Sequence, residues 1–289
     1  MRRKKLTVLV VNWNGLDHLK GLLPTLRKQT FRDFEVLISD QGSTDGSVEW
    51  LKKNKIRFIQ NGRNTGFSGG VNRGLRNVRT KYVAVLNDDM KIEPNCLRLL
   101  MGTIEGDESI GAVQGLVVNW DGTHVESTGL VVTYGSFIAT RDKGKTFVKM
   151  NRPHVEVDMV NGSATIYRMS VFKKIGMFDE DFNPIYNEDA DMSIRMRNGG
   201  YKMMLQPNAV LYHHSGPTAK RLGYVGRLIN HRNRYRLMRK HWTRAQWAKA
   251  AMWFPLVAGF YIVKSPDLAP FQATFEFLTG QLDRKKWRG

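Results

Sequence analysis

The sequence predicts an α/β protein: a doubly wound, mostly parallel sheet flanked by helices, with a helical C-terminal extension. Three observations carry this reading. Short apolar, β-branched runs alternate with amphipathic helical patterns over residues 6–86. Each run stops abruptly at polar turn residues, as strands do when their carboxyl ends line one edge of a sheet. Beyond residue 216 the pattern changes to an arginine-dense stretch and then an apolar one. The chain therefore divides into a sheet-based domain, 1–216, and a basic and apolar helical extension, 217–289.

Residues 6–11 (LTVLVV) form a buried first strand, closed by the turn chemistry of Asn12, Asn14 and Gly15. Residues 17–29 follow as an amphipathic helix with Leu19, Leu22, Leu23 and Leu26 on one face. Residues 34–39 (FEVLIS) form a second strand ending at Asp40, and the loop DQGSTDGS leads to a short helix with Ser43 or Asp45 as its cap. Residues 56–60 form a third strand, 61–70 a polar glycine-rich loop, 72–78 a helix and 82–86 a fourth strand. Further on, helices are expected at 95–104, 170–176 and 187–198. Strands are expected at 112–118, 129–133, 159–167, 202–205 and 209–213, the last two on either side of Pro207. Residues 143–153 read as a polar connection.

In the extension, Leu228, Tyr235, Met238 and Trp242 recur at helical spacing and point to a core-facing stripe. Residues 250–263 are apolar all round, broken by Pro255 and flanked by Lys249 and Lys264. The run is too short to span a bilayer and fits a buried or interfacial helix. The net charge of +19, concentrated in part at 221–240, implies an anionic partner. One cysteine, Cys96, excludes an internal disulfide and a cysteine-based zinc site, and suits a reducing compartment. The basic start, MRRKK, is followed by an apolar run too short for a secretory core.

The fourth strand ends in Asn87, Asp88 and Asp89. Adjacent carboxylates at a strand's carboxyl end are either a solvated turn with an acidic helix cap or the ligands of a divalent ion carrying a diphosphate. Asp40, at the end of the second strand, is either a loop-starting residue or an acceptor for a base N–H or ribose hydroxyl. In the NTGFSGGVN loop, Asn64, Gly66, Phe67, Gly69, Gly70 and Asn72 could bring backbone N–H groups to a phosphate. There is no Walker lysine and no GxGxxG. Glu188, Asp189 and Asp191 at a helix start either complement the dipole or include a general base. His213 and His214 are a structural pair or further metal ligands.

Taken in order, VVNWNG, DQGSTDGS, NTGFSGGVNRG, LNDDM, NGSATIYR, GMFDEDF, NEDADMSIRMRNGGY and HHSG resemble family 2 glycosyltransferases, most closely the bacterial rhamnosyltransferase branch. The resemblance spans residues 6–216. It implies the GT-A fold for residues 1–216, a nucleotide-diphosphate sugar donor, a divalent metal (Mn²⁺ or Mg²⁺) and inversion at the anomeric carbon. By position, Asn87-Asp88-Asp89 matches the DxD element, with Asn in place of its first acid. Asp89 becomes the firmer metal ligand and Asp88 lies nearer the ribose. Asp40 matches the acid that contacts the base, and Asn12, Asn14, Gly42, Asn64, Gly66, Phe67, Asn72 and Asn87 join it as donor-binding residues. Asp189 matches the catalytic base with Glu188 beside it, and His213 or His214 the further metal ligand, the spacing to Ser215 favouring His213. The implied acceptor is a saccharide or a polyprenyl-diphosphate-linked sugar in cell-surface polysaccharide synthesis. The implied location is the cytoplasmic face of an anionic membrane, with the extension serving membrane attachment or a homodimer. The competing readings are a nucleotidyltransferase, which would want a basic glycine-rich loop that VVNWNGLDH lacks, and a nucleic-acid-binding protein, for which no helix-turn-helix, zinc-finger or RRM pattern is present.

Overall fold

The computed structural model describes residues 3–133, 138–149, 151–214, 217–263 and 267–282. Ser215, Gly216 and Lys264 lie outside them. The first half alternates strand and helix: β1 (Leu6–Asn12), α1 (Leu16–Arg27), β2 (Phe34–Asp40), α2 (Ser47–Lys53), β3 (Phe58–Gln60), α3 (Gly66–Leu75), β4 (Tyr82–Asn87). Then come β5 (Met90–Ile92), α4 (Cys96–Gly106), β6 (Ile110–Asn119), β7 (Val125–Ser127), β8 (Leu130–Val132), β9 (Ile138–Thr140) and β10 (Val155–Glu156). The sheet-based part closes with β11 (Ala164–Arg168), α5 (Met169–Ile175), α6 (Glu188–Asn198) and β12 (Lys202–His213). The extension is helical: α7 (Pro217–His241), α8 (Arg244–Val263) and α9 (Ala269–Leu278).

The main sheet runs β10-β12-β6-β11-β4-β1-β2-β3, with β5 added to β12 and β7 to β6. Strands β3, β2, β1 and β4 are mutually parallel, as is the β12–β6 pair, while β11 runs antiparallel between β4 and β6. Register fixes what meets at the carboxyl edge. Asn12 stands opposite Asp40, Val11 opposite Asn87, and His213 opposite Asn119. Because β11 is reversed, its entry segment, 161–163, arrives at that same edge.

Alternation along β1 sends Val8 and Val10 to one face and Leu9 to the other. The first face packs on Leu19, Leu22, Leu23 and Leu26 of α1 and on α4; the second packs on α3, α5 and α6. Full burial of each such leucine is worth about 2 kcal/mol. Helix α3 begins at Gly66, six residues before the expected start at Asn72, and takes in the glycines of the expected loop. Low helix propensity is overridden here by close approach to the sheet. A Cβ on Gly74 would sit 2.3 Å from Leu9 Cδ1, and one on Gly70 would sit 1.8 Å from Gln41 Nε2. Strand β12 runs unbroken through Pro207 because a register shift between Gln206 and Val210 absorbs it.

In the extension, Leu228, Tyr235 and Met238 are buried against Ala269, Ala273 and Leu282, with Trp242, Trp247 and Phe277 packed alongside. Much of the positive charge of 221–240 is paired within the chain. Arg232 pairs with Glu276, Arg227 with Asp267, and buried Arg236 donates to Asn233 and to the Leu282 carbonyl. The acids that pair with Arg227 and Arg232 lie about forty residues further along the chain. Helix α8 does present apolar surface, with Met252 71% and Leu256 67% exposed, and α9 adds Phe275 and Leu278. Among the described residues, no helix is long and apolar enough to cross a membrane.

Candidate active site

The ends of β1 and β2 are tied together by side chains. Asp40, fully buried, accepts from the Gly42 and Ser43 backbone N–H groups at Oδ1 and from Asn12 Nδ2 and Ser43 Oγ at Oδ2. Asn14 accepts from Thr44 N and donates its own N–H to Ser43 Oγ. Asp45 caps two helices at once, accepting from Leu16 N and from Ser47 N. In this arrangement Asp40's four bonds are all to the chain, and they shape the turn that carries Gly42. Asn12 Oδ1, by contrast, is buried without a donor. Gly15 lets it approach Asp88: a Cβ there would lie 2.1 Å from Asp88 Oδ2 and 2.8 Å from Asn12 Oδ1.

The N-terminus of α3 is already bonded within the chain. Thr65 N donates to Gln41 Oε1, Gly66 N to Asn64 Oδ1 and Phe67 N to the Pro184 carbonyl. Asn72 is a buried strut, exchanging hydrogen bonds with the Phe178 backbone and donating to Glu180. The loop expected to cradle a phosphate thus packs α3 on the sheet, while Phe67 faces the cavity described below.

Beyond β4 the two aspartates part. Asp88 faces His18 at 3.8 Å; burial raises its pKa, with the charge of Asp89 adding to that and His18 opposing it. Asp89 Oδ1 is buried without a hydrogen-bond donor, and His213 Nε2 lies 3.2 Å from it, off the line of a hydrogen bond. The other ring nitrogen, Nδ1, sits 2.7 Å from Glu126 Oε2. Burial alone would lower the His213 pKa, but the two carboxylates overcome it and raise it to about 9. His214 is exposed, its ring turned to His18 and Trp120. The pair is thereby divided, with His213 inward and His214 outward.

Glu188 and Asp189 open α6 behind a tight turn in which Tyr186 (φ 82°) and Asn187 (φ 69°) are left-handed, each at a cost of roughly 1–2 kcal/mol. Asp189 accepts from Gly162 N (3.3 Å) and Ala190 N (2.9 Å). Burial raises its pKa to about 6, the backbone donors restraining the rise. Burial and the charge of Asp189 also hold Glu188 well above the ordinary carboxylate range, and its Oε2 is buried without a partner. Two buried carboxyl groups side by side thus each resist ionisation. Asp191, two residues on, faces away and is locked to Arg195, Lys240 and His241. That separates the acids of this helix start into two that face the cavity and one that is structural.

A cavity of about 460 Å³ brings the groups together: Asp89, Glu126 and His213 share its lining with Phe67, Glu188 and Asp189. A carboxylate and an imidazole nitrogen therefore face the same space as a buried carboxylate of raised pKa. Among the described residues, no three His, Cys, Asp or Glu side chains converge as a ready-made metal cage.

Residues 7–176, more than half of the chain, match the model of Glycosyl transferase family 2. The chain belongs to glycosyl transferase family 2. This glycosyltransferase is 26% identical over 243 residues to the N-acetylglucosaminyl-diphospho-decaprenol L-rhamnosyltransferase of Mycobacterium tuberculosis, a match covering 75% of this chain and 78% of that one. Its fold is the GT-A fold. It is shared with TarS (residues 1–349) of S. aureus solved with UDP-GlcNAc (TM-score 0.65, 16% identity, 97% of this chain and 83% of that one). It is shared too with the mannosyltransferase PcManGT of Pyrobaculum calidifontis solved with GDP-Man and Mn²⁺ (TM-score 0.60, 15% identity, 98% and 85%). The family 2 motifs find the two acidic elements and His213. They do not find Glu126, whose HVES context carries no chemical pattern; β7 reaches His213 only through its pairing with β6.

Proposed function

We propose that this glycosyltransferase is a metal-dependent, inverting enzyme that transfers a sugar from a nucleotide-diphosphate donor to a saccharide or polyprenyl-diphosphate-linked acceptor. The observation that carries the reading is the single cavity facing both Asp89–His213 and Asp189. Asp89 and His213 fit a divalent metal, since a buried carboxylate oxygen without a donor stands beside an imidazole nitrogen. This donor set suits Mn²⁺ better than Mg²⁺, with substrate oxygens and water filling the other positions. When bound, the metal supplies Lewis-acid stabilisation of the departing diphosphate. Asp189 accepts the proton of the acceptor hydroxyl as that oxygen bonds to the anomeric carbon and the bond from carbon to diphosphate breaks. Glu188, lining the cavity beside Asp189 with its Oε2 buried and unpartnered, is placed to meet a substrate hydroxyl. Asp88 and Asn12 Oδ1, together at the end of β1, are placed for the nucleoside hydroxyls.

The M. tuberculosis relative supports rhamnose as the sugar and a lipid-linked diphosphate sugar as the acceptor. The exposed Met252, Leu256, Phe275 and Leu278 and the net charge of +19 support a peripheral seat on the anionic cytoplasmic membrane face. A screen of nucleotide-sugars by thermal shift and hydrolysis identifies the donor, and Asp189→Asn tests the chemistry. The variant is expected to bind donor normally and lose at least ~10²-fold in kcat, the contribution of a positioned base. Weakened donor binding with unchanged kcat overturns the assignment.

A further inference from the structure

The extension reaches back to the turn that delivers Asp189. Asn233 of α7, fully buried, donates from Nδ2 to three carbonyls of that turn: Phe182 (2.7 Å), Ile185 (3.0 Å) and Tyr186 (2.9 Å). Its amide orientation is fixed from the other side. Arg236 Nη1 donates to Asn233 Oδ1 at 2.6 Å, and since a guanidinium has no acceptor, the oxygen must face it and the NH₂ must face the carbonyls. Arg236 is held in turn by the Leu282 carbonyl. One residue beyond Tyr186, the Asn187 side chain donates to Asn230, also on α7. Leu237 packs with Phe182 and Ala190 on either side of the acids.

We infer that Asn233 is a positioning residue for catalysis: it gathers the carbonyls of the left-handed turn and so sets where α6 places Asp189 in the cavity. A turn with two consecutive non-glycine residues at positive φ persists only when its surroundings hold it. Here the two N–H groups of a single buried amide, shared among three carbonyls, help to do so. Helix α7, which the sequence assigns to the extension, is thereby part of the catalytic apparatus. The inference rests on the reading of Asp189 as the base.

The test compares Asn233→Asp and Asn233→Ser in the full chain, with Asp189→Asn alongside and Tyr235→Phe as a packing control. Tyr235 bonds Thr274 within the extension and touches neither the turn nor the cavity. Asn233→Asp keeps the shape but sets a carboxylate against three carbonyls. The expected result is a fall in kcat of ~10- to 100-fold, the effect of misplacing a reacting group by about an ångström, with donor KM and donor-induced thermal shift unchanged. Asn233→Ser is expected to fall less. Tyr235→Phe is expected to lose thermal stability without loss of kcat. Should both Asn233 variants fail to fold, Asn230→Ala, which releases Asn187 from α7, reads the same link and is expected to lower kcat in the same selective way. If the folded variants keep wild-type kcat while Asp189→Asn is inactive, the positioning role is wrong and the base assignment stands. If Asp189→Asn itself is fully active, the base assignment fails, and the inference with it.

Discussion

Replacing Asp191 with asparagine should destabilise the protein, in a way that acid abolishes. The carboxylate is fully buried and accepts from Arg195 (2.8 Å), Lys240 (2.7 Å) and His241 (2.7 Å), so it bolts α6 to α7. Breaking a buried pair by removing one partner costs roughly 3–5 kcal/mol. Two of the cations keep other acceptors: Arg195 the Ile175 and Met177 carbonyls, Lys240 the carboxylate of Asp179. The expected loss is therefore at or below the bottom of that range, about 2–3 kcal/mol. A second route agrees. The surrounding cations hold the Asp191 pKa at about 2 against an ordinary 3.8, in spite of burial, a displacement worth on the order of 2 kcal/mol. Because the folded-state pKa is lowered, this stability is fully present above about pH 4 and drains away as pH falls through about 2. Urea unfolding of wild type and Asp191→Asn at pH 7, 4 and 3 measures it. The gap should be widest at pH 7, persist at pH 4 and narrow below. At 2–4 °C per kcal/mol, Tm at neutral pH should fall by roughly 6 °C. A gap below about 1 kcal/mol at pH 7, or one that widens in acid, refutes the argument.

The base reading predicts that kcat/KM rises with pH through about 6 as Asp189 ionises, and a flat acid limb counts against it. Asp89→Ala should abolish activity and Mn²⁺-induced thermal stabilisation together; full turnover in excess EDTA contradicts the metal assignment. Glu126→Gln, which loosens the outer partner of His213, should weaken Mn²⁺ affinity measured by titration by ~10- to 100-fold, and unchanged affinity shows that Glu126 does not orient the ring. With anionic liposomes the full chain should float at low salt and partly detach at high salt, and Met252→Glu with Leu256→Glu should reduce flotation. A stable dimer that ignores liposomes makes α8 a subunit contact instead.

What was legible in the sequence followed from how completely each segment is buried. Strands β1, β2 and β4 and helix α1 announce themselves because β-branched runs buried on both faces and a four-leucine stripe have few other folded uses. The start of α3 was hidden, since its glycines are there for close packing and read locally as loop. The direction of β11 was equally invisible: an apolar run carries no sign of which neighbour it will pair with. At the site, Asp89, His213 and Asp189 stood out through their motifs. Asp40 was legible as important, but its donors within the chain were not, because two of them are turn N–H groups that any sequence supplies. The arginines of α7 pointed to an anionic partner, and their partners within the chain stayed hidden because Asp267 and Glu276, which pair with two of them, are remote in sequence.

The bridge between α6 and α7 bears on recombination within the family. A chimera that takes residues 217–289 from a relative imports four partners of the host's turn and helix: Asn230 for Asn187, Asn233 for the turn carbonyls, and Lys240 with His241 for Asp191. These recur over three helical turns of one face, so a donor segment shifted by a single residue rotates all of them off their targets by about 100°. Such a transplant strands a carboxylate and three carbonyls inside the host. A crossover between β12 and α7, although it falls between two regular elements, is thus a poor junction. A crossover after His241 leaves the whole bridge within one parent.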